Sequence, residues 1–188
     1  MSRVAVIGGG PAGIMAAAAA AGCGHDSVLL EKNEKLGKKL FLTGKGRCNI
    51  TNSCDTDDFF ANIPRNPKFL YSALYGFSNT DIVKLINANG VPTKAERGKR
   101  IFPASDKSSD VIKALTRHLN NSGAELRLNT EVFGIRKAGS GFELTVNGCR
   151  EAFDAMDMKA FQKKNLLLQS VKEQFLNSLL VYSVVLLT

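Results

Sequence analysis

Val4-Ala5-Val6-Ile7-Gly8-Gly9-Gly10-Pro11-Ala12-Gly13, followed later by Val28-Leu29-Leu30-Glu31, is the part of the sequence that decides the fold. The apolar run Val4–Ile7 reads as a buried strand, and the glycines after it each have a task. Gly8 permits a tight turn, Gly10 lets the backbone approach a pyrophosphate, and Gly13 lets the next helix pack closely on the sheet. Pro11 and Ala12 open that helix, predicted over Pro11–Gly22, and its free N–H groups face the diphosphate. Each such anion contact contributes about 0.3–1 kcal/mol. The alanines from Ala16 to Ala21 suit a helix pressed against a sheet. Val28–Leu30 reads as a second strand, and Glu31 ends it at the position, roughly 20 residues on, where a carboxylate accepts ribose hydroxyls. A 2′-phosphate would meet like charge at Glu31, so the site is expected to take FAD or NAD rather than NADP.

The 188 residues allow one domain, or one and a half, and 44% hydrophobic content is ordinary for a soluble globular protein. The apolar Met15–Ala21 stretch belongs to the nucleotide helix and not to a signal peptide. The net charge of +8 is spread along the chain, with local knots at Lys35–Lys39, Lys45–Arg47 and Arg97–Arg100. No aromatic platform is interleaved with them in the sequence. They read as a solvated basic surface with cofactor-phosphate contacts, and no nucleic-acid partner is expected. Cys23, Cys48, Cys54 and Cys149 form no CxxC pair and do not cluster with His25 or His118, so no metal is expected. A reducing, cytoplasmic location and no membrane contact follow from the same composition.

Beyond Glu31 a lysine-rich loop through Lys39 leads to Leu40-Phe41-Leu42 and then to Thr43-Gly44-Lys45-Gly46-Arg47-Cys48-Asn49-Ile50-Thr51-Asn52. Gly44 and Gly46 make a second backbone-exposed turn, crowded with donors. Residues 55–89 read as mainly helical, with one helix starting at Asn66-Pro67 and another capped by Asn79 or Thr80 and stopped by Gly90. Val91–Phe102 reads as a hairpin or irregular lid. Asp106–Asn121 has a clear apolar face (Val111, Ile112, Leu115, Leu119) and is predicted helical, with Gly123 as its stop. Strands are predicted at Glu125–Leu128, Glu131–Arg136 and Gly141–Val146. One parallel strand followed by an antiparallel meander continues a flavoprotein-type nucleotide domain, whereas a plain NAD domain would add further βα units.

With the block Thr43–Ser53, the Ile7–Gly13 turn, Leu30-Glu31-Lys32-Asn33 and Arg100-Ile101-Phe102-Pro103-Ala104-Ser105-Asp106-Lys107, the sequence resembles the HI0933-like or BaiN-like bacterial FAD-dependent oxidoreductases, also described as aminoacetone-oxidase-like flavoproteins. The resemblance covers about Met1 to Gly148. It implies an α/β, Rossmann-like FAD-binding domain of the glutathione-reductase type, with a β-meander and a helical insertion. By resemblance, the adenosine half of FAD lies on Gly8, Gly10, Pro11, Ala12, Gly13, Glu31 and Lys32, with Val132 offering backbone groups to the adenine. Lys39, Thr43, Gly44, Arg47, Cys48, Asn49 and Thr51 would line the ribityl–flavin half. Donors near the ring's N1/C2 edge stabilise reduced, anionic flavin and tune its potential. The implied activity is hydride transfer through flavin between NAD(P)H or oxygen and a small organic substrate. No catalytic acid or base is assignable, and neither the substrate nor the oligomeric state can be read from the sequence.

The pattern departs from the family after about Gly148. Another buried parallel strand with an Ala-Thr-Gly-Gly-type turn is due there, yet no glycine follows Gly148. The expected domains are therefore 1–53 with 100–149 for FAD, 54–99 as a mainly helical insertion, and 150–188 as an atypical tail. That tail, leucine-rich over 166–188, is read as the product of a truncation, frameshift or gene-model error. Beside a basic RNA-binding role, kept as a minor option, two alternatives stay open. One is a dithiol flavoprotein using Cys48 and Cys54, although their five-residue gap differs from the disulfide-reductase spacing of four. The other is a non-catalytic remnant that holds only the ADP moiety.

Overall fold

The computed structural model describes residues 1–64 and 67–158. In chain order the elements are β1 (Arg3–Ile7), α1 (Pro11–Gly22), β2 (Asp26–Leu30), β3 (Thr51–Asn52), α2 (Thr56–Ala61), α3 (Tyr71–Gly76), α4 (Asn79–Ala88), β4 (Thr93–Glu96), β5 (Arg100–Pro103), α5 (Ser108–Ser122), β6 (Glu125–Arg127), β7 (Val132–Ala138), β8 (Gly141–Val146), β9 (Cys149–Phe153) and β10 (Ala155–Met158). Short 3-10 turns cover Leu40–Gly46 and Pro67–Leu70. The described residues fall into two compact units, 1–37 with 118–158, and 38–117.

The first unit is built on a four-stranded parallel sheet in the order β10-β1-β2-β6. Successive strand residues point to opposite faces, so each strand serves two layers. Ala5, Ile7, Val28 and Leu30 face one way and pack with Val132, Leu144, Val146, Phe153 and Met156 in a single buried cluster. Leu29 faces the other way, against α1 at Gly13. The antiparallel meander β7-β8-β9 thus covers one face of the sheet and the alanine helix the other. This is the Rossmann-like α/β architecture expected from the sequence, with β6 as the extra parallel strand ahead of the meander.

The departure from the family pattern falls later than the sequence indicates. Residues 150–158 are not an atypical tail, because β9 closes the meander and β10 is the parallel strand that was due, in register with β1 from Val4↔Ala155 to Ile7↔Met158. Its sequence hides it. Ala-Met-Asp-Met has neither the β-branched run of a central strand nor the length to show a period. Asp154 starts it through two bonds to Arg3: its carboxylate accepts the Arg3 N–H at 2.7 Å, and its own N–H donates to the Arg3 carbonyl at 2.9 Å. The leucine-rich stretch 166–188, and its reading as a frameshift product, lie outside the described residues.

In the second unit the small antiparallel sheet β3-β5-β4 is joined by α2, α3 and α4. The Val91–Phe102 stretch is a true hairpin, turning at Gly98 and Lys99 with both φ values positive. The cap of α4 is Ser78, not Asn79 or Thr80. Ser78 and Asp81 form a reciprocal capping box, while Asn79 turns inward and donates to the carbonyls of Asn52 and Cys54. That inward role of Asn79 is a tertiary contact with no local signal.

Candidate functional site

In the first unit the glycine turn has the shape its sequence requires. Gly8 is left-handed at φ 105, and its N–H donates to the Leu30 carbonyl at 2.8 Å, which ties the turn to the end of β2. A Cβ on Gly13 would lie 1.9 Å from the Gly8 carbonyl oxygen, so only glycine lets α1 start there. Gly10, the N-cap of α1, faces open space with nothing within 4 Å of a Cβ, and Pro11 follows as the first helical residue. Ala12, in the first turn of α1, is buried.

Glu31 is 7% exposed and turned toward the same turn. Its Oε2 accepts the Gly9 N–H at 2.6 Å, and its Oε1 accepts the Asn33 N–H at 2.8 Å and the Asn33 side-chain amide. A carboxylate has about four lone-pair positions. The protein takes at least three of them. Lys32, the next residue, is exposed. The segment before Val132 runs alongside: Thr130 N–H donates to the Glu31 carbonyl at 2.9 Å and Asn129 N–H to the Asn33 carbonyl at 3.0 Å. The structure therefore brings the Gly8–Gly13 turn, Glu31 and the Val132 segment together.

Sequence reasoning missed Gly9. A Cβ there would lie 2.3 Å from Leu36 Cδ2 and 3.0 Å from Glu31 Oε2, and the Gly9 carbonyl accepts the Gly37 N–H at 2.8 Å. Three consecutive glycines were a signal, but which one meets the acid depends on how the loops fold back.

In the second unit Lys39 is exposed and precedes the 3-10 turn, and Thr43 Oγ1 donates to the Leu40 carbonyl at 2.8 Å. The Thr43–Thr51 turn is left-handed at Gly44, Lys45, Gly46 and Cys48. A Cβ on Gly44 would meet the Asn49 nitrogen at 2.8 Å and Phe102 Cε1 at 3.3 Å. Arg47 donates to Glu96 at 2.9 and 3.3 Å and to Asp106 at 3.2 Å, with its guanidinium carbon 4.2 Å from the Phe102 ring centre. Lys94 also reaches Asp106, at 2.5 Å. The hydrogen bond with Glu96 raises the Arg47 pKa, and the Lys94 hydrogen bond holds Asp106 below the usual carboxylate range.

Cys48 is fully buried, and burial pushes its thiol up to about 11. A thiol held protonated in this way is a poor nucleophile at neutral pH. Cys48 and Cys54 are both free thiols, and Cys54 is half-buried. Asn49 is half-buried, and Thr51 is fully buried with its hydroxyl unpartnered. An enclosed hydroxyl without a partner costs about 1–3 kcal/mol, and a ligand acceptor would relieve it.

The parallel sheet, glycine turn, acid and meander define a Rossmann-like nucleotide-binding domain. The family model of the HI0933-like protein Rossmann domain matches residues 2–158, and the chain belongs to this family. The match runs through β10, ten residues beyond Gly148. The 3-dehydro-bile acid delta(4,6)-reductase of Clostridium scindens is 33% identical over 152 residues, covering 80% of this chain and 36% of the reductase. The ribosomal RNA dihydrouridine synthase of Escherichia coli is 31% identical over 143 residues, covering 76% of this chain and 35% of the synthase. The chain thus spans about a third of the length of these curated relatives. Among solved structures, the Diels-Alderase PyrE3 superposes with a TM-score of 0.53 at 16% identity, covering 85% of this chain and 32% of that one. CtdE in complex with FAD and substrate 4 superposes with a TM-score of 0.50 at 15% identity, covering 84% of this chain and 37% of that one. At these identities the likeness is one of fold. Among the described residues no helix is long and apolar enough to cross a membrane.

Proposed function

We propose that this chain is the cofactor-binding part of an FAD-dependent oxidoreductase. The observation that carries this reading is the open ground over Gly10 between the start of α1 and the buried Glu31 carboxylate. A diphosphate laid there meets the free N–H groups of α1 and no side chain, and the ribose meets Glu31. Gly8, Gly10, Pro11, Ala12, Gly13, Glu31, Lys32 and the Val132 backbone hold the ADP half. Lys39, Thr43, Gly44, Cys48, Asn49 and Thr51 hold the ribityl–flavin half, where Thr51 supplies its unpartnered hydroxyl. When bound, FAD supplies hydride chemistry, taking electrons from a nicotinamide or passing them to oxygen. The protein binds, orients and tunes.

The names of both curated relatives describe changes at a carbon–carbon double bond, one in a bile acid and one in an RNA base. An electron-poor carbon–carbon double bond is accordingly the substrate chemistry we favour here. A second reading of the substrate's size rests on charge. Residues 38–117 hold twice as many Lys and Arg as Asp and Glu, while acids outnumber bases in 1–37 with 118–158. A basic surface confined to one unit suits a polyanion such as RNA, contrary to the expectation from the unsorted sequence. Retention on RNA that falls steeply with salt would support it, and salt-independent behaviour would remove it.

The decisive test is a pair of calorimetric titrations, one with FAD and one with ADP. Binding of FAD tighter than of ADP supports a flavoprotein. Equal affinity supports the ADP-only remnant, and no binding of either defeats both.

A further inference from the structure

The GKGRCN turn contains a cation that its own chemistry does not direct at a flavin. We propose that Arg47 is a positioning residue: it acts through Glu96 and Asp106 to hold the left-handed Gly44–Cys48 turn in the form that meets the cofactor, and does not itself touch FAD. The inference rests on the FAD reading above.

The turn is costly as a local structure. Lys45 (φ 57) and Cys48 (φ 64) are left-handed without being glycine, and Cys48 is buried in that conformation. Such residues persist only where the surroundings over-determine them. The backbone bonds within the turn are long, Arg47 N–H to Gly44 carbonyl and Cys48 N–H to Thr43 carbonyl, both 3.2 Å. What adds rigidity is the side chain in its midst. Arg47 lies over Phe102 on β5 and donates two bonds to Glu96 on β4 and a third to Asp106 beyond β5. Lys94 clamps Asp106 from the other side, and Asp106 is itself left-handed at φ 56. The guanidinium is thus committed to two carboxylates and a ring, all within one unit. Phe102 also lies against Gly44, so the residue that carries Arg47 supports the turn's first left-handed position as well.

The test is a double-mutant cycle on the full chain with Arg47→Met, Glu96→Gln and the pair, read two ways. Without FAD, limited trypsin cleavage at the Lys45–Gly46 bond reports the turn. With FAD, the dissociation constant and the flavin absorption bands report what the turn presents. If Arg47 acts by position, each single variant speeds cleavage and weakens FAD by about tenfold, the loss expected for one charge-assisted pair. Both singles then shift the flavin bands alike, and the double variant is no worse than the stronger single. If Glu96→Gln is silent in both readouts while Arg47→Met weakens FAD and shifts its bands, Arg47 contacts the cofactor and the proposal is overturned. Additive losses overturn it too. If the parent chain binds no FAD, the cofactor reading falls and takes this inference with it; coupled trypsin results would then credit Arg47 with the turn alone.

Discussion

The backbone N–H of Gly9 donates to Oε2 of Glu31 at 2.6 Å, across 22 residues of sequence, so the acid at the end of β2 is bonded into the glycine turn at the end of β1. Glu31 therefore organises the protein, beside the ribose contact we propose for it. Glu31→Gln keeps the shape but puts an amide where an N–H donor points. Hydrogen bonds to charged groups contribute about 1.5–3 kcal/mol, and a loss of that order in urea unfolding is expected together with weaker FAD binding. An unchanged urea midpoint would mean the bond is incidental.

Gly10 and Gly13 separate binding from folding. An alanine at Gly13 drives its Cβ onto the Gly8 carbonyl oxygen, and overpacking of this kind costs at least about 1–3 kcal/mol. An alanine at Gly10 meets nothing, in an extended conformation (φ −77, ψ 171) that any residue adopts. Gly10→Ala is expected to melt within about 1 kcal/mol of the parent yet bind FAD at least about tenfold more weakly. Thermal melts beside FAD titrations check both, and a Gly10→Ala chain with undiminished affinity would remove the diphosphate from this turn.

Cys48 gives a prediction at high pH. Its pKa is raised to about 11 by burial, above the ordinary thiol value, so the folded state favours the neutral thiol. The stability tied to this is full below the unfolded thiol's pKa, about 8.5, and is lost as pH rises through about 11. Cys48→Ser should flatten that part of the stability–pH curve, measured by urea unfolding between pH 8 and about 11. At neutral pH the exposed Cys23 and Cys149 should alkylate with iodoacetamide well before Cys48.

The capping box at Ser78 is testable in the same way. Ser78→Ala removes the acceptor of the Asp81 N–H, at 3.3 Å, and should cost about 0.5–2 kcal/mol. Asp81 is held below its ordinary pKa first by the Ser78 side chain. Its contribution is therefore present above the unfolded carboxylate pKa and lost as pH falls through the lower folded value. A parent and a Ser78→Ala chain that lose stability equally below about pH 4 would refute this assignment.

Local patterns carried much of the fold. Val4–Ile7, the glycine spacing and the alanine helix are short-range signals, and each appears as read; α5 and β6 to β8 also appear, with ends shifted by up to two residues, while β9 went unread. The cap of α4 was misplaced by one or two residues because Ser78, Asn79 and Thr80 are all good caps. Only packing showed that Asn79 is needed elsewhere. The strand Ala155–Met158 was missed because its pattern is weak and its partner lies some 150 residues away.

What the sequence determined by itself is the βαβ unit at the start and the glycine positions within it, since these depend on sterics between near neighbours. What only the tertiary structure decided is where the polar groups point: Glu31 into the Gly9 turn, Arg47 onto Glu96 and Asp106, Cys48 into the core. Arg47 and its partners are 49 and 59 residues apart. A long cationic side chain can satisfy itself with any carboxylate the fold brings near, and no local periodicity says which one that is.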